Sequence, residues 1–97
     1  MNRGDIWSYQ AISRTRKVLV ISADELNNVG QPITLDVTDV APTGVRAMLA
    51  TPLPDHGYIL VRSMFAADPN RFRERLGRAP VAVMDQLEMA LRAALDL

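Results

Sequence analysis

The 97-residue chain contains no cysteine, so neither a disulfide nor a thiolate site is possible. Its single histidine, His56, excludes a zinc or iron site built from several histidines. No apolar run approaches the length of a membrane span. The opening Met1-Asn2-Arg3-Gly4-Asp5-Ile6-Trp7 has no apolar stretch after its basic residue, so no signal peptide is expected. The expected compartment is the cytoplasm. An excess of charge of one sign is also lacking, since 11 basic side chains cancel 11 acidic ones. A protein that coats nucleic acid without regard to sequence is normally strongly basic. Any nucleic-acid site here must be a local patch on a neutral body, which suits a small reading site better than a long electrostatic track.

What is present is the makings of one compact domain. The length suffices for a single domain, residues 1–97, and is too short for two. A hydrophobic content of 48% argues against disorder. A domain this small has a modest core, so oligomerisation would add useful stability. No internal repeat or low-complexity linker interrupts it.

The pattern along the chain is that of short strands. Ile6-Trp7-Ser8-Tyr9 alternates apolar and polar residues as a half-buried strand does. Ser13-Arg14-Thr15-Arg16 reads as a polar loop. Val18-Leu19-Val20-Ile21 is β-branched and nearly continuous, as in a strand buried on both faces. Ser22 and Glu25 have the spacing of a capping box, which predicts one helical turn ending near residues 27–30. Ile33, Leu35 and Val37 alternate with Thr34, Asp36 and Thr38, predicting a strand with one wet face. Residues 41–44 read as a turn. Strands are then expected over 45–51 and 58–65, separated by the proline-bounded stretch 52–57. Asp68-Pro69-Asn70 predicts a turn or a short helix start, and residues 72–76 fit either strand or helix. After Pro80, apolar residues at 83 or 84, 87, 91 and 94 or 95 recur at helical spacing, with Asp85, Glu88 and Arg92 on the other side. The expected fold class is therefore mainly β with α (α+β): a small barrel carrying a C-terminal amphipathic helix.

Several stretches together resemble the MazF/PemK toxin family. They are Arg3-Gly4-Asp5-Ile6-Trp7 at the start, Arg16 ahead of Val18-Leu19-Val20-Ile21-Ser22, and Thr38 closing the third strand. Arg71-Phe72, Leu76-Gly77-Arg78, Met84, Leu87 and Ala90-Leu91-Arg92 complete the match, which spans essentially the whole chain. No single motif is specific; their order and spacing carry the likeness. The resemblance implies an SH3-like barrel of the MazF and CcdB type, a homodimer, and a cognate MazE-like antitoxin that blocks the RNA groove. It further implies a cytoplasmic mRNA interferase that cuts single-stranded RNA at short sequences. Three positions depart from the family pattern. Lys17 stands where proline normally follows the arginine, and Asp39 follows Thr38 where serine is common. The loop between Trp7 and Arg16 is short, so no target sequence is implied.

RNA can be cut without a metal or other cofactor by using its own 2′-hydroxyl as nucleophile. Such a site must stabilise phosphorane charge and aid proton transfers at the 2′ and 5′ oxygens. An arginine's planar fork suits phosphate oxygens and stays charged, so the resemblance makes Arg16 the expected catalytic residue. Thr38 is the second, its hydroxyl both donating and accepting; it is a poor base. Otherwise an arginine before a strand is usually a solvated charge and a strand threonine a good strand former. Ser13, Arg14 and Lys17 are candidate RNA-binding residues beside Arg16, against the reading of a solubilising loop. Trp7 and Tyr9 could stack bases, although Trp7 fits the core as well. Arg71, Arg73, Arg75 and Arg78 form a second basic run, read first as a solvated face. Two alternatives stay open: a gyrase poison resembling CcdB, and a catalytically dead barrel that only binds antitoxin or RNA.

Overall fold

The computed structural model describes residues 1–96. Seven antiparallel strands and two α-helices account for most of them. The strands are β1 (Asp5–Gln10), β2 (Thr15–Val20), β3 (Ile33–Thr38), β4 (Ala50–Leu53), β5 (Gly57–Leu60), β6 (Phe65–Ala66) and β7 (Phe72–Arg78). The helices are α1 (Asp24–Asn28) and α2 (Val81–Leu95). The strands form one sheet in the order β4-β5-β3-β2-β1-β7, with β6 added to β3. Its outer strands β4 and β7 do not pair with each other, so the sheet stays open.

The β1–β2 hairpin sets the register of the centre, with Ile6 opposite Leu19 and Tyr9 opposite Arg16. Its loop is closed by the Ala11 amide on the Arg14 carbonyl at 2.8 Å. Thr15 and Arg16 therefore belong to the strand rather than to the expected loop, because Gln10 and Tyr9 supply their ladder partners. Val18, Leu19 and Val20 are fully buried, since apolar matter covers both faces of β2. On one face Ile6, Leu19, Leu35, Val37, Leu53 and Ile59 meet Val83 and Leu87 of α2. On the other, Tyr9, Val18 and Ala67 gather Trp7, Phe65 and Phe72. The two cores follow from strand alternation, which sends neighbours to opposite faces.

Several expectations are corrected by contacts distant in sequence. Ser22 does not cap α1; Ala23 occupies the cap position without a side-chain bond. The Ser22 hydroxyl instead donates to Asn27 Oδ1 at 2.5 Å and accepts from the Ile33 amide at 3.0 Å, tying α1 to β3. The expected wet face of β3 is wet only at its far end: β6 pairs beside Thr34, which is fully buried, whereas Asp36 and Thr38 stay partly exposed. Residues 44–49 form a 3-10 helix where a strand was expected. Gly44 turns the chain with φ +62°, and Val45 and Met48, three apart, share an exposed side of it. Pro52, expected to break a strand, lies inside β4 because β4 is an edge and its outer amide side needs no donor.

The expected strand over 58–65 splits at Ser63, whose hydroxyl donates to the Leu60 carbonyl at 2.6 Å and accepts from the Asp36 amide at 2.7 Å. Pro69–Arg71 is a short 3-10 turn capped by Asp68. The ambiguous 72–76 stretch becomes β7, because the outer edge of β1 offers it ladder partners, with bulges near Trp7. Pro80 sits just before α2 rather than at its first turn. Glu88 and Arg92 pair at 3.0 Å on the exposed side of α2.

Candidate active site

The β2–β3 ladder runs from Val20 and Thr34 to its last pair, Lys17 and Val37. One residue beyond that pair stand Arg16 on β2 and Thr38 on β3. Both line a cavity of about 460 Å³, together with Ser8, Arg14, Lys17, Asp36 and Asp39 among others. Because Arg16 and Lys17 alternate to opposite faces of β2, the cavity wraps around the end of the ladder.

Arg16 is held from two sides. Its Nη1 donates to both Asp36 carboxylate oxygens, at 3.0 and 3.2 Å. Its guanidinium lies over the Phe65 ring, 4.8 Å from the centroid, a placement favoured by the negative ring face. Asp36 and Thr38 alternate to the same face of β3, and β6 carries Phe65 beside Thr34. Nη2 makes no hydrogen bond among the described residues, and the buried Nε has no partner there either. The fork is thus anchored through one nitrogen with donors left over for a ligand.

Thr38 is fixed through its backbone. It pairs with Tyr58 of β5, and its hydroxyl accepts from the Val40 amide at 3.2 Å, leaving the hydroxyl proton free to donate. Gly57, with φ +110°, lies flat against the Thr38 carbonyl: a Cβ there would fall 2.1 Å from that oxygen. Lys17 reaches the Asp39 carboxylate at 2.6 Å and the His56 carbonyl at 2.5 Å.

The remaining sequence candidates divide. Arg14 and Lys17 line the cavity, whereas Ser13 is exposed in the hairpin loop and does not. Trp7 is half-buried, edge-on to Phe72 with centroids 5.7 Å apart, and lies outside the cavity lining. Tyr9 is buried with its hydroxyl accepting from the Asp68 amide at 2.9 Å, which takes it out of any stacking role. In the second basic run, Arg75 and Arg78 pair with the buried Asp5 carboxylate at 3.4 and 3.1 Å.

Asp36 and Phe65, which orient Arg16, were not picked out in the sequence. Asp36 carried a signal, since it is two residues before Thr38 and so shares its face. Phe65 carried none, because only the sheet brings it to β3. Among the described residues no three His, Cys, Asp or Glu side chains are grouped so as to hold a metal ion.

A second cavity, of about 450 Å³, adjoins the first and shares Thr38, Val40 and Leu60 with it. Arg46 from the 3-10 helix and Arg62 from the turn after β5 also line it.

Comparison with solved structures places this geometry in a known fold. An endoribonuclease in complex with its cognate antitoxin, from a mycobacterial species, superposes with a TM-score of 0.88 at 19% identity, covering 100% of this chain and 96% of that one. The MazE-MazF structure from Deinococcus radiodurans gives 0.85 at 24% identity, with 100% and 97% covered. The Mycobacterium tuberculosis toxin MazF-mt6 gives 0.77 at 13% identity, with 96% and 97% covered. No curated protein matches by sequence. Identities this low establish the fold alone, and family membership rests on the sequence profile. Residues 2–95 match the family described as PemK-like, MazF-like toxin of type II toxin-antitoxin system, so the chain belongs to that family.

Proposed function

We propose that this toxin is a metal-independent endoribonuclease that cuts single-stranded mRNA at short sequences. The observation that carries the reading is the convergence of Arg16 and Thr38 on one cavity at the end of the β2–β3 ladder. The 2′-oxygen of the RNA attacks the adjacent phosphorus as a base removes its proton. The bond from phosphorus to the 5′-oxygen then breaks as that oxygen takes up a proton, leaving a 2′,3′-cyclic phosphate and a 5′-hydroxyl. Arg16, oriented by Asp36 and Phe65, donates to the phosphorane oxygens; a preorganised donor of this kind is worth about 3 kcal/mol. Thr38 donates its hydroxyl to the same phosphate, and Arg14 holds a neighbouring one. The family's toxin role and the structural neighbours, an endoribonuclease with its antitoxin and a MazE-MazF pair, support this reading.

The toxin acts as a cytoplasmic homodimer neutralised by a MazE-like antitoxin. No helix among the described residues is long and apolar enough to cross a membrane. Val45 and Met48 on the 3-10 helix and Val81 and Met89 on α2 are all more than two-thirds exposed and open to a protein partner.

The decisive experiment incubates purified protein with a long RNA in EDTA and maps the ends. Discrete cuts with 5′-hydroxyl ends, lost in a folded Arg16→Ala variant, are expected. Intact RNA alongside inhibited DNA supercoiling would establish a gyrase poison instead; intact RNA without that inhibition would leave a toxin acting by binding alone.

A further inference from the structure

We propose that the second cavity is a subsite for the nucleotide flanking the cut linkage, its phosphate held by Arg46 and Arg62. This rests on the RNA-cleaving reading and adds two residues to it. The two cavities share Thr38, Val40 and Leu60, so a single strand lying across Thr38 passes from one into the other.

The absence of carboxylates around these two arginines is what marks their cavity. Arg16, Lys17, Arg71, Arg75, Arg78 and Arg92 all have a carboxylate partner. Arg46 and Arg62, like Arg14 in the first cavity, form no ion pair or side-chain hydrogen bond among the described residues, and, unlike the first cavity, theirs is lined by no carboxylate. The first cavity sets three cations, Arg14, Arg16 and Lys17, against two carboxylates, Asp36 and Asp39, while the second has two cations and none. In a chain of zero net charge, the less compensated positive potential therefore lies in the second cavity, beside the proposed cutting site. An anion arriving there loses its water to two guanidinium forks that have no competing partner. Pro42, Leu49 and Leu60 give the same cavity an apolar wall, suited to the face of a base. The 3-10 helix and the turn at Ser63, both unexpected from the sequence, are what present the two arginines from either side.

The test is the salt dependence of binding to a pool of random-sequence 2′-O-methyl oligonucleotides, which cannot be cut. Each phosphate contact on a single strand contributes about 0.7 to the slope of log affinity against log salt. The Arg46→Gln/Arg62→Gln variant, which loses that one phosphate contact, is expected to lose about 0.7 from that slope. Its affinity should fall about tenfold or more at low salt. On a cleaved RNA, KM rises while kcat holds, because the interaction is shared by ground and transition states. Arg92→Gln, on α2 and outside both cavities, should leave the slope unchanged.

An unchanged slope in the double variant, with wild-type binding and cleavage intact, overturns the subsite and leaves the enzyme reading standing. A slope lowered as much by Arg92→Gln as by Arg62→Gln alone also overturns it, since the effect would then be one of overall charge. Wild-type protein that binds no oligonucleotide defeats both readings. Should the glutamine variant melt early, the Arg46→Lys/Arg62→Lys variant decides: it keeps both charges and must keep the slope.

Discussion

The Lys17 ammonium bonds the Asp39 carboxylate at 2.6 Å, and these residues occupy the two positions beside the site where the chain departs from its family pattern. Proline at the first position would bring no charge, and neither would serine at the second. The two changes introduce opposite charges that meet each other, so the local balance around Thr38 is preserved. Lys17 is also the more enclosed partner, its side chain 19% exposed against 82% for Asp39, with the His56 carbonyl as a second acceptor.

This asymmetry gives the first prediction. Asp39→Ser should change stability by less than about 1 kcal/mol, since an exposed carboxylate contributes little. It frees Lys17 for phosphate, so affinity for single-stranded RNA should rise and the salt slope should steepen by about 0.7. Anisotropy titrations at several salt concentrations read both; weaker binding in the variant would contradict the release of Lys17 by loss of Asp39.

A second prediction concerns how Arg16 is held. Arg16→Lys keeps the charge but loses the fork, and should lower kcat by about 10²–10³ with little change in KM. Asp36→Asn removes the anchor and should cost a smaller factor, about tenfold, through misplacement of the guanidinium. Single-turnover cleavage rates separate the two, and an Asp36→Asn enzyme as fast as wild type would remove Asp36 from the site.

Gly57 offers a third test, at the backbone of Thr38. With φ +110° and its missing side chain facing the Thr38 carbonyl, this position admits no Cβ without displacing β3. Gly57→Ala should destabilise the fold by about 2 kcal/mol or more and should reduce cleavage in whatever fraction stays folded. Gly30→Ala, where φ is +74° and a Cβ would meet only Pro69 at 3.9 Å, carries a milder positive-φ strain without touching the site. Urea melts and rates on both variants separate strain from site damage.

The buried Asp5 carboxylate gathers the Asn2 amide at 2.9 Å with Arg75 and Arg78. Asp5→Ala should cost about 2 kcal/mol in urea unfolding, the range for stranding partners of a buried charged group. RNA cleavage per folded molecule should stay unchanged, because this cluster lies on β1 and β7 and lines neither cavity. A selective loss of activity would give the second basic run a part in RNA binding after all.

How far the sequence reached depended on the range of the forces involved. The buried strand at Val18, the alternation of β3 and the stripe of α2 were legible, since periodicity is a local record of which face meets the core. Arg16 and Thr38 were singled out by likeness to a family, with nothing in their own neighbourhoods to mark them. The 3-10 helix at Gly44 was missed because Val45 and Met48 look like strand residues until their exposure is known. The strand β7 was undecidable because its ladder partners lie on β1, 63 to 73 residues away in sequence.

The sequence by itself determined the α+β class, the absence of thiol chemistry and the zero net charge, all properties of composition and short-range pattern. Only the tertiary structure decided that Asp36 and Phe65 hold Arg16, that Lys17 answers Asp39, and that Arg46 and Arg62 stand without carboxylates beside Thr38. The reason is that pairing between strands is set by sheet register and loop path. Both are cooperative outcomes of the whole fold, which no local stretch of sequence specifies.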